Sequence, residues 1–113
     1  MFEPKRDRRI LRKLARSSSI WERRIAMIAT YHYIRQRDFK DALTIAGLLR
    51  RDEHDLIHKA VGWMLREVGN RDVATLEAFL RTHYRNMPRT ALRYAIEKFS
   101  PEKRRTYLDG TVE

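Results

Sequence analysis

The chain has 113 residues, with 25 Lys and Arg against 15 Asp and Glu, so its formal net charge is +10. It contains no cysteine, which excludes a disulfide framework, a thiolate nucleophile and a thiolate metal site. No apolar run reaches the length of a membrane span, and the first residues lack the apolar stretch of a secretory signal. We therefore expect a cytoplasmic protein with no membrane partner. A net charge of this sign favours polyanions, nucleic acid first among them.

Capping residues and helix breakers predict seven helices, and no stretch alternates with the period of a strand. Ser19, with Glu22 three residues later, has the spacing of a capping box. Asp72 and Pro88 are favourable helix starts, and Gly69 predicts a helix end. The predicted helices span residues 6–16, 19–36, 38–50, 52–69, 72–84, 88–99 and 100–109.

The predicted helices carry a weak internal repeat. The stretches R-R-I-A-M-I-A (23–29), H-K-A-V-G-W-M (58–64) and R-T-A-L-R-Y-A (89–95) recur about 30 to 35 residues apart. Each begins with a basic residue and continues as an apolar helix, and the links between helices are short. We therefore predict an all-α, HEAT-like stack of antiparallel helix pairs, about six or seven helices in a single domain over residues 1–113. An ordinary compact helical bundle is the alternative.

Trp63 is misplaced for a simple core position. With Ile57 set at zero and about 100° per residue, the apolar stripe of the fourth predicted helix covers an arc of about 140°. Trp63 lies at about 240°, well off that stripe, and is flanked by Lys59 at about 200° and Arg66 at about 180°. An aromatic ring beside cations suits nucleic-acid bases and phosphates. Alternatively, Trp63 packs against the next helix, with both cations extending over it.

Arg24 presents the opposite anomaly, because it falls within the apolar arc of the second predicted helix. A lone buried guanidinium is costly, so Arg24 needs an acidic partner or an anionic ligand. A phosphate contact fits the planar fork of the guanidinium. A structural ion pair with Asp55 or Glu67 is the equally open alternative.

The remaining polar residues give weaker patterns. His54 and His58 have the i, i+4 spacing of metal ligands but no third ligand, so we expect solvated histidines, no metal and no cofactor. No nucleophile-and-base pattern and no Gly-rich phosphate loop are present. Arg93, with Arg89 on the same face, either extends a basic surface or is simply solvated.

Three segments resemble a known family. They are W-E-R-R-I-A (21–26), D-L-I-H-K-A-V-G-W-M-L-R-E (55–67) and M-P-R-T-A-L-R-Y-A-I-E-K (87–98). They resemble the C-terminal half of the DNA alkylation repair family, the HEAT-like alkylpurine DNA glycosylases, from about Arg8 to Leu108. The resemblance implies a concave face that holds duplex DNA and an activity that excises cationic lesions such as N7-methylguanine and N3-methyladenine. It makes Arg24 the DNA-contacting arginine and Trp63 the tryptophan of the lesion-site surface.

The chain departs from the family pattern in one respect. The family's catalytic aspartate lies upstream, in a motif of the type W-D-x-V-D, and nothing like this motif is present here. Asp7 and Asp38 have different surroundings. We therefore expect no catalytic residue in this chain and little glycosylase activity from it alone, because stabilisation of a developing charge is worth several kcal/mol.

Interaction partners follow from the same resemblance. Duplex DNA, especially alkylated or abasic, is the expected ligand. A stack cut in the middle exposes an apolar face. Ile10, Leu11 and Leu14 therefore either cap the stack or support a homodimer or association with a missing N-terminal half. A helical-repeat module that binds a protein partner is the alternative function, and salt dependence separates the two. RNA remains open on composition. The predicted DNA-binding residues are Arg24, Trp63, Lys59, Arg66, Arg23 and Arg93.

Overall fold

The computed structural model describes residues 8–112, and all the regular secondary structure in that range is helical. The predicted all-α fold is therefore confirmed. Residues 6 and 7 of the first predicted helix lie outside the described range. The helices are α1 (Arg9–Ala15), α2 (Ile20–Ala29), α3 (Tyr31–Ile34), α4 (Lys40–Leu49), α5 (Asp55–Arg71), α6 (Val73–His83), α7 (Arg89–Ala95) and α8 (Pro101–Leu108), with a 3-10 turn at Tyr84–Asn86 between α6 and α7.

Side-chain caps fix several helix starts. The Ser19 hydroxyl accepts the backbone N–H of Glu22 at 3.4 Å, and the Asp72 carboxylate accepts the N–H of Thr75 at 3.2 Å. Each satisfies an N–H group that the first turn of a helix leaves unpaired. The predicted starts of α2 and α6 are therefore confirmed.

The start of α5 differs from the prediction by a few residues. We expected residue 52 or 53 to open this helix, whereas it begins at Asp55. His54 is the capping residue, and its Nδ1 accepts the N–H of Leu56 at 3.2 Å. The Asp52 carboxylate instead accepts the N–H of His54 at 2.9 Å, which fixes the loop before the helix.

The second predicted helix is interrupted, which the periodicity did not predict. α2 ends at Ala29, and α3 starts again at Tyr31. Between them, the buried Thr30 donates its hydroxyl to the carbonyl of Met27 at 2.6 Å. Its own backbone N–H bonds to the same carbonyl, three residues back. A threonine hydroxyl that competes for helix carbonyls bends or breaks the helix.

Gly69 does not end α5, contrary to prediction, since the helix continues to Arg71. A Cβ at position 69 would lie 2.5 Å from Cδ2 of Leu76 on α6, so a larger residue would require the end of the Leu76 side chain to shift. The chain turns instead at Asp72, whose extended backbone (φ −155°) separates α5 from α6. The helix predicted over residues 88–99 is also shorter than expected, since α7 ends at Ala95.

The helices pack in two layers around α5. α2, α5 and α7 lie side by side, while α1 and α4 contact each other behind α2 and α5. α6 lies against α5, and α8 lies against α7. The predicted apolar stripe of α5 is buried, which makes this helix the centre of the core; its members are Ile57, Ala60, Val61, Met64, Leu65 and Val68.

α5 and α7 approach each other at backbone distance. A Cβ at Gly62 would lie 2.5 Å from Cβ of Tyr94 and 2.6 Å from the carbonyl oxygen of Ala91. Only a residue without a side chain fits between these groups. This contact sets the spacing of the two helices. It places Cβ of Tyr94 next to Gly62, the residue that precedes Trp63.

Two further features of the surface bear on the predictions. No helix within residues 8–112 is long and apolar enough to cross a membrane. On α1, Leu11 is buried and Ile10 is exposed. Self-association through α1 stays a prediction.

Candidate nucleic-acid interface

A shallow depression of about 190 Å³ opens where α2, α5 and α7 meet. It brings together residues from all three helices of the layer, including four of the six predicted DNA-binding residues. Its lining consists of Arg24, Leu56, Lys59, Ala60, Trp63, Arg66 and Tyr94.

The geometry of α5 explains why three predicted residues meet there. Lys59, Trp63 and Arg66 are spaced i, i+4 and i+7, which places them on one face of the helix. This face is turned away from the buried stripe, so Trp63 stays 37% exposed and the two cations border its ring. The sequence prediction of a second, aromatic and basic face on α5 therefore agrees with the structure.

Tyr94 belongs to the depression and was missed by sequence reasoning. It projects from α7, and its ring is 37% exposed, the same fraction as Trp63. The internal repeat contained a signal for it, since aligning H-K-A-V-G-W-M with R-T-A-L-R-Y-A puts Tyr94 opposite Trp63. The same alignment with R-R-I-A-M-I-A puts Arg24 opposite Lys59. Both residues of each of these two equivalent pairs therefore line the same depression.

Arg24 is half-buried and has no ion pair or hydrogen bond from its side chain within residues 8–112. Neither acidic partner considered from the sequence reaches it. Asp55 pairs with Lys59, with Nζ 3.3 Å from Oδ2, and Glu67 pairs with Arg71 at 2.9 Å. The structural ion pair with Asp55 or Glu67 is therefore not formed, and the anionic ligand stays a prediction.

The surroundings of Arg24 also correct the argument that singled it out. The expected arc on α2 is not a buried one, since Trp21 is 62% exposed and Ile25 is 56% exposed. Only Met27 of that arc is buried on α2, where it forms the core together with Ala26. The guanidinium therefore sits at a solvent-facing border, where its desolvation is smaller than a core position would impose.

The other two cations of the depression are held by exchangeable ion pairs. Lys59 and Asp55 are both about half exposed, and Arg66 pairs with the exposed Glu97, which follows α7. The exposed Lys59–Asp55 pair is worth little, roughly 0 to 1 kcal/mol, and in the other pair the Glu97 carboxylate is on the solvent side. An incoming anion can therefore compete with the carboxylates for both side chains.

Arg23 and Arg93 lie outside the depression. The Nε of Arg23 bonds to Asp52 at 2.8 Å, and its Nη1 donates to the carbonyl of Ser17 at 3.0 Å, so this guanidinium ties two loops together. Arg93 is exposed and lines a separate depression of about 430 Å³ between α7 and α8, together with Arg104. The structure thus brings four predicted residues together and separates these two.

The chemistry available in the depression is binding chemistry. Within residues 8–112, no carboxylate lines it and no three metal-binding side chains cluster. The carboxylates with displaced pKa values lie elsewhere. Hydrogen bonds from Arg8 lower the pKa of Asp38, and those from the backbone and side chain of Thr75 lower the pKa of Asp72. Neither is positioned to act on a ligand of this surface.

Comparison with known proteins identifies the group to which this architecture belongs. A family model described as DNA alkylation repair enzyme matches residues 1–99, a range that includes all three helices around the depression. Neither the curated proteins nor the solved structures that were searched gave a match. The chain belongs to the DNA alkylation repair enzyme family.

Proposed function

We propose that this protein binds duplex DNA through the depression formed by Arg24, Lys59, Trp63, Arg66 and Tyr94. The observation that carries the proposal is the half-buried Arg24 guanidinium, which has no acidic partner in the described range and lies beside an exposed tryptophan. A guanidinium fork suits phosphate oxygens, and aromatic faces suit bases. Family membership supports the same ligand.

The dimensions of the depression favour a surface contact over an enclosed pocket. Small-molecule pockets usually measure roughly 300 to 1,000 Å³, well above the 190 Å³ found here. Three cations spread over α2 and α5 suit consecutive phosphates of a backbone. The two aromatic rings between them suit a base or sugar that is displaced from the stack.

The substrate class we propose is duplex DNA with an alkylated or abasic site, as for the glycosylases that this sequence resembles. Those enzymes use a carboxylate to stabilise the positive charge that develops on the sugar. Asp55 and Glu97, which border the depression, are occupied by Lys59 and Arg66. We therefore propose binding without base release by this chain, with the carboxylate supplied by another segment or a partner.

Salt-dependent binding tests the proposal. A labelled duplex with a tetrahydrofuran abasic analogue is titrated at about 50 and about 200 mM salt, with fluorescence anisotropy as the readout. We expect Arg24→Ala to weaken binding roughly 10- to 100-fold and to reduce the slope of log K against log salt by about 0.9. Trp63→Ala should weaken binding without changing the slope, because it removes no phosphate contact.

The matched control is Arg105→Ala, which removes the same charge from an exposed position on α8. We expect it to change the affinity less than about threefold. Equal losses of DNA affinity in Arg24→Ala and Arg105→Ala would mean that the net positive charge of the protein attracts DNA without a specific contact at Arg24. A folded protein that binds no duplex at low salt would favour the alternative, a helical module with a protein partner.

A further inference from the structure

Most of the large exposed apolar side chains belong to the three helices that form the depression. Among residues 8–112, seven large apolar side chains are exposed, and four of these project from α2, α5 and α7. The two most exposed are Trp21 at 62% and Ile25 at 56%, both on α2. The four are Trp21, Ile25, Trp63 and Tyr94.

Trp21 and Ile25 form a ridge beside the depression. They are spaced i, i+4, so their side chains lie next to each other about one helical turn apart. Arg24, which lines the depression, comes directly before Ile25 in the chain and three residues after Trp21. The opposite side of α2 carries the core residues Ala26 and Met27. The ridge therefore faces solvent at the border of the cationic surface.

An exposed indole beside a guanidinium restricts the partners that fit. An apolar protein surface would bury Trp21 but would also have to desolvate Arg24, which is costly without an acidic group. Nucleic acid supplies both requirements, since every base has a flat apolar face and every nucleotide has a phosphate. An intact duplex hides its base faces within the stack. Only an interrupted stack offers a face that the indole can cover.

We propose that the Trp21–Ile25 ridge covers a base face exposed at an interruption of the duplex stack, such as a missing or displaced base. The inference rests on the proposed function and adds a second aromatic contact on the α2 side of Arg24. The ridge selects interrupted over intact duplex, whereas Arg24 binds the backbone of both. Apolar side chains that enter a base step act similarly in proteins that kink DNA.

Single-tryptophan variants separate the two aromatic contacts, because the chain has only two tryptophans. Trp21→Phe leaves Trp63 as the reporter, and Trp63→Phe leaves Trp21. Both are titrated with an intact duplex and with the same duplex containing a tetrahydrofuran abasic analogue. We expect the abasic duplex to quench both reporters and the intact duplex to leave Trp21 fluorescence nearly unchanged.

Affinities of alanine variants provide the second readout. Trp21→Ala should reduce the affinity for the abasic duplex roughly 5- to 150-fold and leave the affinity for the intact duplex within about twofold. The preference for the abasic duplex is thereby lost. Leu48→Ala, which shortens a 41% exposed apolar side chain on α4, is the matched control and should leave both affinities unchanged.

Each alternative outcome has a distinct meaning. Quenching of Trp63 with an unresponsive Trp21 would overturn the ridge and leave the proposed function intact. No response of either reporter, with no binding by anisotropy, would overturn both. If sedimentation shows a dimer that Trp21→Ala converts to monomer while DNA affinity is unchanged, the ridge is a contact between two copies and the inference is wrong.

Discussion

Arg66 and Glu97 link the depression to the turn that follows α7. Glu97 is largely exposed, whereas the Arg66 side chain is mostly covered, so the carboxylate reaches the guanidinium from the solvent side. In the free protein, this contact holds Arg66 beside Trp63. In the proposed DNA complex, a phosphate would compete with Glu97 for the same guanidinium. Glu97 is therefore expected to weaken DNA binding.

Glu97→Gln should therefore strengthen the binding of duplex DNA roughly twofold to fivefold, the range expected when an exposed carboxylate stops competing. The measurement is the anisotropy titration at low salt. Glu102→Gln on α8 is the matched control, since it changes the net charge equally from an exposed position that forms no ion pair within residues 8–112. Weaker binding by Glu97→Gln would show instead that the carboxylate positions Arg66 for its ligand.

The sequence predicted four of the seven residues that line the depression. Helical angles alone identified Trp63, Lys59 and Arg66, because an angle from the buried stripe says which residues face outward. Arg24 was identified through an apolar arc that turned out to be partly exposed. Arg23 could not be separated from it by sequence, since its partner Asp52 lies on a distant loop. The angle of a residue around its helix does not show which neighbouring helix or loop covers that residue.

The packing of α5 against α7 depends on a single glycine. Gly62→Ala would bring a methyl group to about 2.5 Å from Cβ of Tyr94 and 2.6 Å from the carbonyl of Ala91. Neither can move without shifting α7, so we expect a loss of about 2 kcal/mol in the free energy of unfolding. Urea denaturation followed by circular dichroism measures it.

Gly47→Ala on α4 is the matched control, because a Cβ there would meet nothing within 4 Å. Alanine is the better helix former, so this variant should gain about 0.5 to 1 kcal/mol. Equal and small effects of the two substitutions would mean that α5 and α7 have room to separate.

α8 docks on α6 through one carboxylate. Glu77 accepts hydrogen bonds from Lys103 Nζ at 2.6 Å and from the Tyr107 hydroxyl at 2.8 Å. Burial by itself would raise the pKa of Glu77, but these hydrogen bonds outweigh it and the pKa is lowered. Burial, together with the bond to Glu77, raises the pKa of Tyr107 to about 12. The contact therefore needs an ionised Glu77 and a protonated Tyr107.

This contact predicts a stability that declines at both pH extremes. The contribution of Glu77 is present above its ordinary pKa of 4.5 and is lost as the pH falls through the lowered folded value. The contribution of Tyr107 is present below its ordinary pKa of 10.0 and is lost as the pH rises towards about 12. Unfolding midpoints in urea across the pH range measure both limbs.

Tyr107→Phe isolates the alkaline limb. It keeps the buried ring but leaves one oxygen of Glu77 without its donor, so it should cost about 1 to 3 kcal/mol at neutral pH. The decline between pH 10 and 12 should become shallower than in the unmodified protein. An unchanged alkaline limb would assign that decline to other groups.

The helix ends show where local sequence rules succeed. Ser19 and Asp72 were identified as helix starts because a side-chain cap acts within three residues of its own position. The break at Thr30 was not predicted, and Gly69 was wrongly assigned as a helix end, because both depend on burial and on a neighbouring helix. A threonine hydroxyl interrupts a helix only where it can bond to a helix carbonyl. A glycine need not end a helix when it lies against a neighbouring helix, as Gly69 does.

The whole molecule has the dimensions of two layers of helices. Its smallest extent, 18 Å, is close to twice the diameter of a helix with its side chains, roughly 10 Å. Short links and regular punctuation predicted this stack, because consecutive helices with short connections must lie against each other. The order of helices within the layer could not be read in the same way. It depends on contacts between residues about 30 positions apart, such as Gly62 with Ala91.

The close approach at Gly62 has a consequence for how the protein can change over many generations. Elsewhere in the core, one apolar side chain can replace another of similar volume, with neighbours adjusting around it. Between α5 and α7, the separation is set by main-chain atoms, which no substitution exchanges. Core substitutions that keep Gly62 should therefore preserve the spacing of α5 and α7, and with it the width of the surface that Trp63 and Tyr94 share.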